Sequence, residues 1–409
     1  MENFLSELPE KKILVQWFRE NGSGIIPDVN SHIHSPYSFS AFKDLHQAFV
    51  LASQENVRVL GINDFNTSEG YPEFYDLSLR YRIFPLFNIE FMGLMKDEQG
   101  KGIRINDPNN PGRIYFSGKG LDFPVNKKSG VFDKVNIITE ESHNQVRAMI
   151  EKLNEHLDRL DSSLKLDFAE IQRKYAMNMV RERHVAQALR IMIFENFNTP
   201  AERKDFLKRL YGNRDPLADL NNSAAVENEF RSRLLKSGGL AFVEEAPGAF
   251  MDIKEIMSII KNAGGIPCYP VLLDDTKGHF TEFESDMEKL FLKLESINVS
   301  CIELIPTRND LKELGRFVNY FNKKGFVILF GTEHNTPSPE PMKVFARGAV
   351  PLDDGLRTTA YNGACVIAAH QYLRARGEEG YIFLSGTDRE RKRAEFEELG
   401  KAVIERFLN

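Results

Sequence analysis

The segment IIPDVNSHIH (25–34) is a short apolar run that turns polar at its end and finishes in His32, Ile33 and His34. Alternate residues of a strand point the same way, so a strand here presents two imidazoles on one side. Six further runs have the same form: VRVLGIND (57–64), IFPLFNIEF (83–91), RIYFSGKG (113–120), GGIPCYPVL (264–272), VSCIELIP (299–306) and FVILFGTEH (326–334). They are rich in Ile, Val and Phe and mostly bounded by Gly, Pro, Asn or Asp, as buried parallel strands are. Helical spacing lies between several of them. Leu45, Phe49 and Ala52 share one face, and so do Ile253, Ile256, Ile259 and Ile260 ahead of Gly264. This alternation predicts an α/β fold, either a β/α barrel or a doubly wound sheet.

One region departs from the alternation. From about 140 to 245 the chain reads as successive helices, with Val146, Met149, Ile150, Leu153, Leu157 and Leu160 at helical spacing. The expected organisation is a barrel first part (1–139), a helical insertion between the fourth and fifth strands (140–245), a barrel second part (246–354) and a helical extension (355–409). In the last of these, Phe396, Leu399, Val403 and Phe407 share a face. Residues 92–112 are Gly/Asn/Pro-rich and read as a long loop or hairpin.

Composition narrows the function. The 409 residues are 42% hydrophobic and 27% charged, ordinary for a soluble globular chain. Lys and Arg number 53 against 59 Asp and Glu, a net charge of −6, which disfavours a nucleic-acid polymer held through its phosphates. Three scattered cysteines fit a reducing compartment. The N-terminus has no charged-then-apolar pattern and no apolar run reaches the roughly 18 residues of a membrane span, so a cytoplasmic location is expected. Phosphate-loop, dinucleotide, HExxH and GxSxG patterns are absent.

In a β/α barrel the working residues lie at the C-terminal ends of the strands. Here those ends carry His32 and His34, Asp64, Glu90, and Glu333 with His334 and Asn335. Two imidazoles with carboxylates suit Zn, Mn or Fe.

These segments resemble the motifs of the polymerase and histidinol phosphatase (PHP) family of metal-dependent phosphoesterases. DVNSHIHSPYSFS (28–40) is similar to its opening DxHxHxxxSDG motif, LGINDFN (60–66) to LxITDHN, FPLFNIEF (84–91) to PGxEI, KNAGGIPCYP (261–270) to GGxxxLAHP, and FGTEHN (330–335) to the closing GSDxH. RERHVAQAL (181–189) resembles the GRPHxAxAL motif of the branch that hydrolyses nucleoside bisphosphates and carries a helical insertion. The resemblance covers about residues 25–335 and implies a distorted (β/α)7 TIM-like barrel.

It also implies a first metal held by His32, His34, Glu90 and Glu333, the last by an Asp-to-Glu change. The ligand positions of the second and third metals read Tyr115, Tyr269, Ser40, Phe65 and Asn335, and His334 falls one residue out of register. Phenylalanine has no lone pair, and a neutral Tyr is a poor ligand for Zn or Mn. One or two divalent ions are therefore expected instead of three. Asp64 is the expected acid or base and His334 a neighbouring donor, while Arg183, His184, Tyr269 and Asn335 are expected to bind substrate. The implied activity is hydrolysis of a small phosphomonoester; the alternative is a degenerate barrel that binds a phosphorylated ligand or partner without turnover.

Overall fold

The computed structural model describes residues 3–125, 133–177, 179–275, 277–336 and 340–409. Seven strands, one in each predicted run, form a sheet that closes almost into a barrel: β1 (Asp28–Ile33), β2 (Val57–Phe65), β3 (Phe84–Leu94), β4 (Arg113–Lys119), β5 (Ile266–Val271), β6 (Cys301–Leu304) and β7 (Val327–Phe330). They neighbour one another in chain order. Closure comes from the residues just after β7. Glu333 bridges Ile33 in parallel register, its N–H donating to the His32 carbonyl at 3.0 Å and its carbonyl accepting from the His34 N–H at 2.6 Å.

The all-parallel expectation fails at one strand. β4 runs antiparallel to both β3 and β5, while every other pair in the barrel path is parallel. The cause lies in the connection. Between β3 and β4 the chain forms only the five-residue helix Lys96–Gly100, too short to carry it back for a parallel return, so the two strands pair as a hairpin. The sheet is thus mixed, and the N-terminal end of β4, with Tyr115, lies beside the C-terminal ends of β1 to β3.

Helices Leu45–Gln54, Tyr71–Tyr81, Ile253–Asn262, Met287–Ser296 and Leu311–Lys323 cover the outside of the sheet, and their apolar faces share one core with it. Aspartates cap several helix starts; Asp44 accepts from the Gln47 N–H and Asp310 from those of Lys312 and Glu313. Between β4 and β5 lie further helices, among them α1 (Asp133–Leu160) and α2 (Glu182–Asn196). They have a core of their own, in which Val146, Ile150, Leu153 and Leu157 of α1 meet Val185 and Leu189 of α2.

Two helices follow the barrel: α3 (Asp354–Ala375) and α4 (Thr387–Leu408). From Ala364 to Ala369 every residue of α3 is fully buried, as an apolar run on all sides requires. α3 packs across the starts of the strands, in one core with Val29, Val59, Phe84, Ile266, Cys301 and Val327. Gln371 fixes it there, accepting from the Phe87 N–H (2.9 Å) and donating to the Pro85 carbonyl (3.0 Å). α4 crosses α3 at Gly400, where an added Cβ would lie 1.8 Å from the Cys365 carbonyl oxygen. Gly400→Ala gains about 1 kcal/mol in helix propensity. Backbone overlap of this depth forces the helices apart, at a cost of roughly 1–3 kcal/mol or more. The variant is therefore expected to be destabilised on balance, read as a lower urea midpoint; an unchanged or raised midpoint contradicts the close crossing.

Candidate metal centre

His32 ends β1 on the inner side of the sheet, with His34 just beyond it, both buried. Each ring is oriented through its Nδ1. His32 Nδ1 lies 2.8 Å from Glu303 Oε2. An ionised carboxylate only accepts, so Nδ1 carries the proton and Nε2 the lone pair. Glu303 is held ionised, down at about 2: burial alone would raise it, but His32 and Lys119 outweigh burial. His34 Nδ1 lies 3.3 Å from Ser38 Oγ. That hydroxyl donates to Asp64 Oδ1 at 2.7 Å and so accepts from His34. Burial holds His34 down to about 4, leaving it neutral. Asn63 Nδ2 lies 3.0 Å from His32 Nε2 and 3.2 Å from Nδ1; with Nδ1 protonated, only Nε2 can accept from it, and a bound ion would take its place.

Both Nε2 atoms face the carboxylate of Glu90, on β3. The separations are 3.2 Å between the two Nε2 atoms, 3.2 Å from His34 to Glu90 Oε2 and 3.9 Å from His32 to Glu90 Oε2. Burial pushes Glu90 up to about 8, with Glu333 and Glu303 adding to the rise and His32 opposing it. Three acceptors converge with no donor among them, which only a proton or a cation stabilises. A divalent ion about 2.0–2.1 Å from N and O donors sets those donors roughly 3.0–3.4 Å apart. Two of the three separations fall in that range and the third, 3.9 Å between His32 and Glu90, is wider, so the residues fit such an ion with His32 and Glu90 drawn together. Among the described residues no other three His, Cys, Asp or Glu side chains converge in this way.

Glu333 borders this cluster, but its carboxylate is bound by the Arg308 guanidinium and by Asn335 Nδ2 (2.6 Å). Glu333 and His334 are consecutive residues with positive φ, 68° and 57°. Each costs about 1 kcal/mol or more for a side chain with a Cβ. The resulting turn aims the Glu333 carbonyl at the His34 N–H and directs the His334 ring elsewhere. Phe65 stacks on His34 at 4.7 Å between ring centroids, and Tyr115 lies 6.0 Å from Phe65. Arg181 sits 4.7 Å over the Phe65 ring and Arg183 5.2 Å over that of Phe39, both from the start of α2. Arg183 Nη1 is buried and has no hydrogen-bond partner.

Several residues expected in the site are engaged elsewhere. Tyr269 faces the helix layer and donates its hydroxyl to Glu284 at 2.6 Å; on β5 the neighbours Cys268 and Pro270 are the ones in register with inward-facing Ser117 and Glu303. His334 does not reach the cluster: its ring nitrogens meet Thr332 Oγ1 (2.8 Å) and the Glu340 carbonyl (3.0 Å), and it stacks on Phe42. His184 Nδ1 accepts from the Arg181 N–H at 3.0 Å. Burial holds His184 down to about 3, so it attracts no anion by charge and serves instead to set the start of α2. Asp64 is saturated by the Ser35 N–H and the hydroxyls of Ser35 and Ser38, so it orients the loop after β1.

Sequence reasoning did not single out Glu303, Lys119, Asn63, Arg181 or Arg308. Two of them left a signal: Glu303 is a lone acid within the apolar run of β6, and Lys119 continues the period-two row of Tyr115 and Ser117 on β4.

The class these features define is a mixed α/β barrel-like sheet with a buried His/Glu cluster suited to a divalent metal. Two solved structures share the fold. One, from Bifidobacterium adolescentis and assigned as a metal-dependent phosphoesterase, is 13% identical with a TM-score of 0.50, over 81% of this chain and 94% of that one. The other, an amidohydrolase from Chromobacterium violaceum with bound sulfate and no metal, is 13% identical with a TM-score of 0.50, over 81% of this chain and 96% of that one. At such identity the likeness is one of fold. No family model matches the chain, and no curated protein matches it. No helix among the described residues is long and apolar enough to cross a membrane.

Proposed function

We propose that this chain is a metal-dependent phosphoesterase of the PHP type, acting on a small phosphomonoester. The observation that supports it most is the convergence of His32, His34 and Glu90 beside the guanidinium groups of Arg181, Arg183 and Arg308. His32, His34 and Glu90 would hold Zn, Mn or Fe, as one or two ions, with Glu333 at the edge of the set. When bound, such an ion lowers the pKa of a nucleophilic water and polarises a phosphoryl oxygen. Phe65 offers no ligand atom and Tyr115, kept neutral by burial, is a poor one, so the opposing charge falls to the arginines. Arg183, with its unpartnered Nη1, is the residue best placed to take a phosphoryl oxygen. Arg181 lies beside it at the start of α2, Arg308 is paired with Glu333, and Asn335 steadies Glu333. The sulfate in the Chromobacterium structure has the charge and shape of phosphate.

The test is turnover. Protein prepared without chelator and supplied with Mn²⁺ or Zn²⁺ is expected to release inorganic phosphate from a panel of small phosphomonoesters. Arg183→Met is expected to raise KM about tenfold or more, the worth of a charge-assisted hydrogen bond, with metal affinity unchanged. Protein carrying a full equivalent of metal that hydrolyses none of the panel removes the proposal. Phe65 supports a second reading, because its ring covers one face of His34 at a position the family gives to a ligand. In that case phosphorylated compounds raise the melting temperature by mass action and no product forms.

A further inference from the structure

The inner wall of the barrel holds a fully buried lysine. Lys119 Nζ lies 2.6 Å from Glu303 Oε1 and 3.0 Å from Asn63 Oδ1. The other oxygen of Glu303 accepts from His32 Nδ1 at 2.8 Å. Four side chains from four different strands thus form a ring of contacts, Asn63–Lys119–Glu303–His32, in which Glu303 holds the Nδ1 side of His32 and the Asn63 amide lies beside its ring. Burying an ammonium and a carboxylate together costs free energy that a well-packed apolar pair would not incur. Stability alone does not account for the pair, but the orientation of His32 does.

We infer that Lys119 and Glu303 are positioning residues for the metal centre: Lys119 clamps Glu303, and Glu303 fixes the tautomer and rotation of His32 so that its Nε2 faces Glu90 and His34. This rests on the metal reading of His32, His34 and Glu90. Neither residue touches the ion. A carboxylate behind a histidine ligand raises the basicity of the ligand and removes its rotational freedom; losing it typically weakens metal binding about 10- to 100-fold.

Cobalt(II) tests this without reference to turnover, through its visible d–d bands and its dissociation constant. The double variant Lys119→Met with Glu303→Gln leaves no buried charge unpaired. Glu303→Asp keeps the charge pair and draws the carboxylate back from His32 by one methylene. The wild-type protein is expected to bind one Co²⁺. Both variants, checked for folding by circular dichroism, are expected to bind it about 10- to 100-fold more weakly, with shifted bands. A folded variant with wild-type affinity and wild-type bands overturns the positioning role and leaves the metal site standing. If the double variant does not fold, Glu303→Asp decides by the same criterion. A wild-type protein that binds no Co²⁺ removes the metal site, and the positioning role with it.

Discussion

His34→Ala is expected to weaken binding of Zn²⁺ or Mn²⁺ at least about a hundredfold and to abolish metal-dependent phosphate release. A zinc site worth roughly 10–16 kcal/mol over four ligands gives about 3 kcal/mol per ligand, or two orders of magnitude. Unlike His32, His34 makes no contact with the buried Lys119–Glu303 pair, so its loss leaves that pair intact. The ring contacts of His34 are Phe65, His32, Glu90 and Ser38, and alanine leaves Ser38 still donating to Asp64. The measurement is metal content after dialysis against a weak chelator, beside a thermal melt of the metal-free protein. A variant that keeps a full equivalent of metal would show that His34 is no ligand.

The second large effect is in pH. Glu90 is pushed up to about 8 against an ordinary value of 4.5, first by burial. A folded-state value above the unfolded one means that the folded, metal-free protein keeps a proton the unfolded chain has already released. The corresponding stabilisation is present below about pH 4.5 and is lost as pH rises through about 8. Binding of a metal ion displaces that proton. Metal affinity is therefore expected to climb by as much as tenfold per pH unit, roughly a hundredfold from pH 6 to 8, and to level off above 8. His34, neutral above about 4, adds nothing to this slope. Chelator competition at pH 6, 7, 8 and 9 measures it, and Glu90→Gln should flatten it. A flat profile in the unaltered protein would mean that Glu90 is already ionised at pH 6.

Much of this was legible in the sequence. Each strand falls on a predicted apolar run, since burial on both faces writes a continuous apolar signal, with β2 running one residue and β3 three residues past theirs. His32 and His34 were legible because they sit at or just beyond the end of β1, and Glu90 because it is an acid inside an otherwise apolar run, although β3 continues four residues past it. The direction of β4 was not, because an apolar run has no polarity of its own; only the Gly/Asn/Pro-rich stretch at 92–112 hinted at a hairpin. His334 and Tyr269 were misplaced for local reasons. Two successive left-handed residues rotate the end of FGTEHN, and one step along β5 separates the lumen from the helix layer. Arg308 lies in a short turn after β6 and Arg181 at a helix start, positions where arginine usually marks nothing but solvent.

The helix packed across the strand starts stops up that end of the barrel, so the opposite rim, where Arg181 sits over Phe65, is the side from which an ion would reach His32, His34 and Glu90.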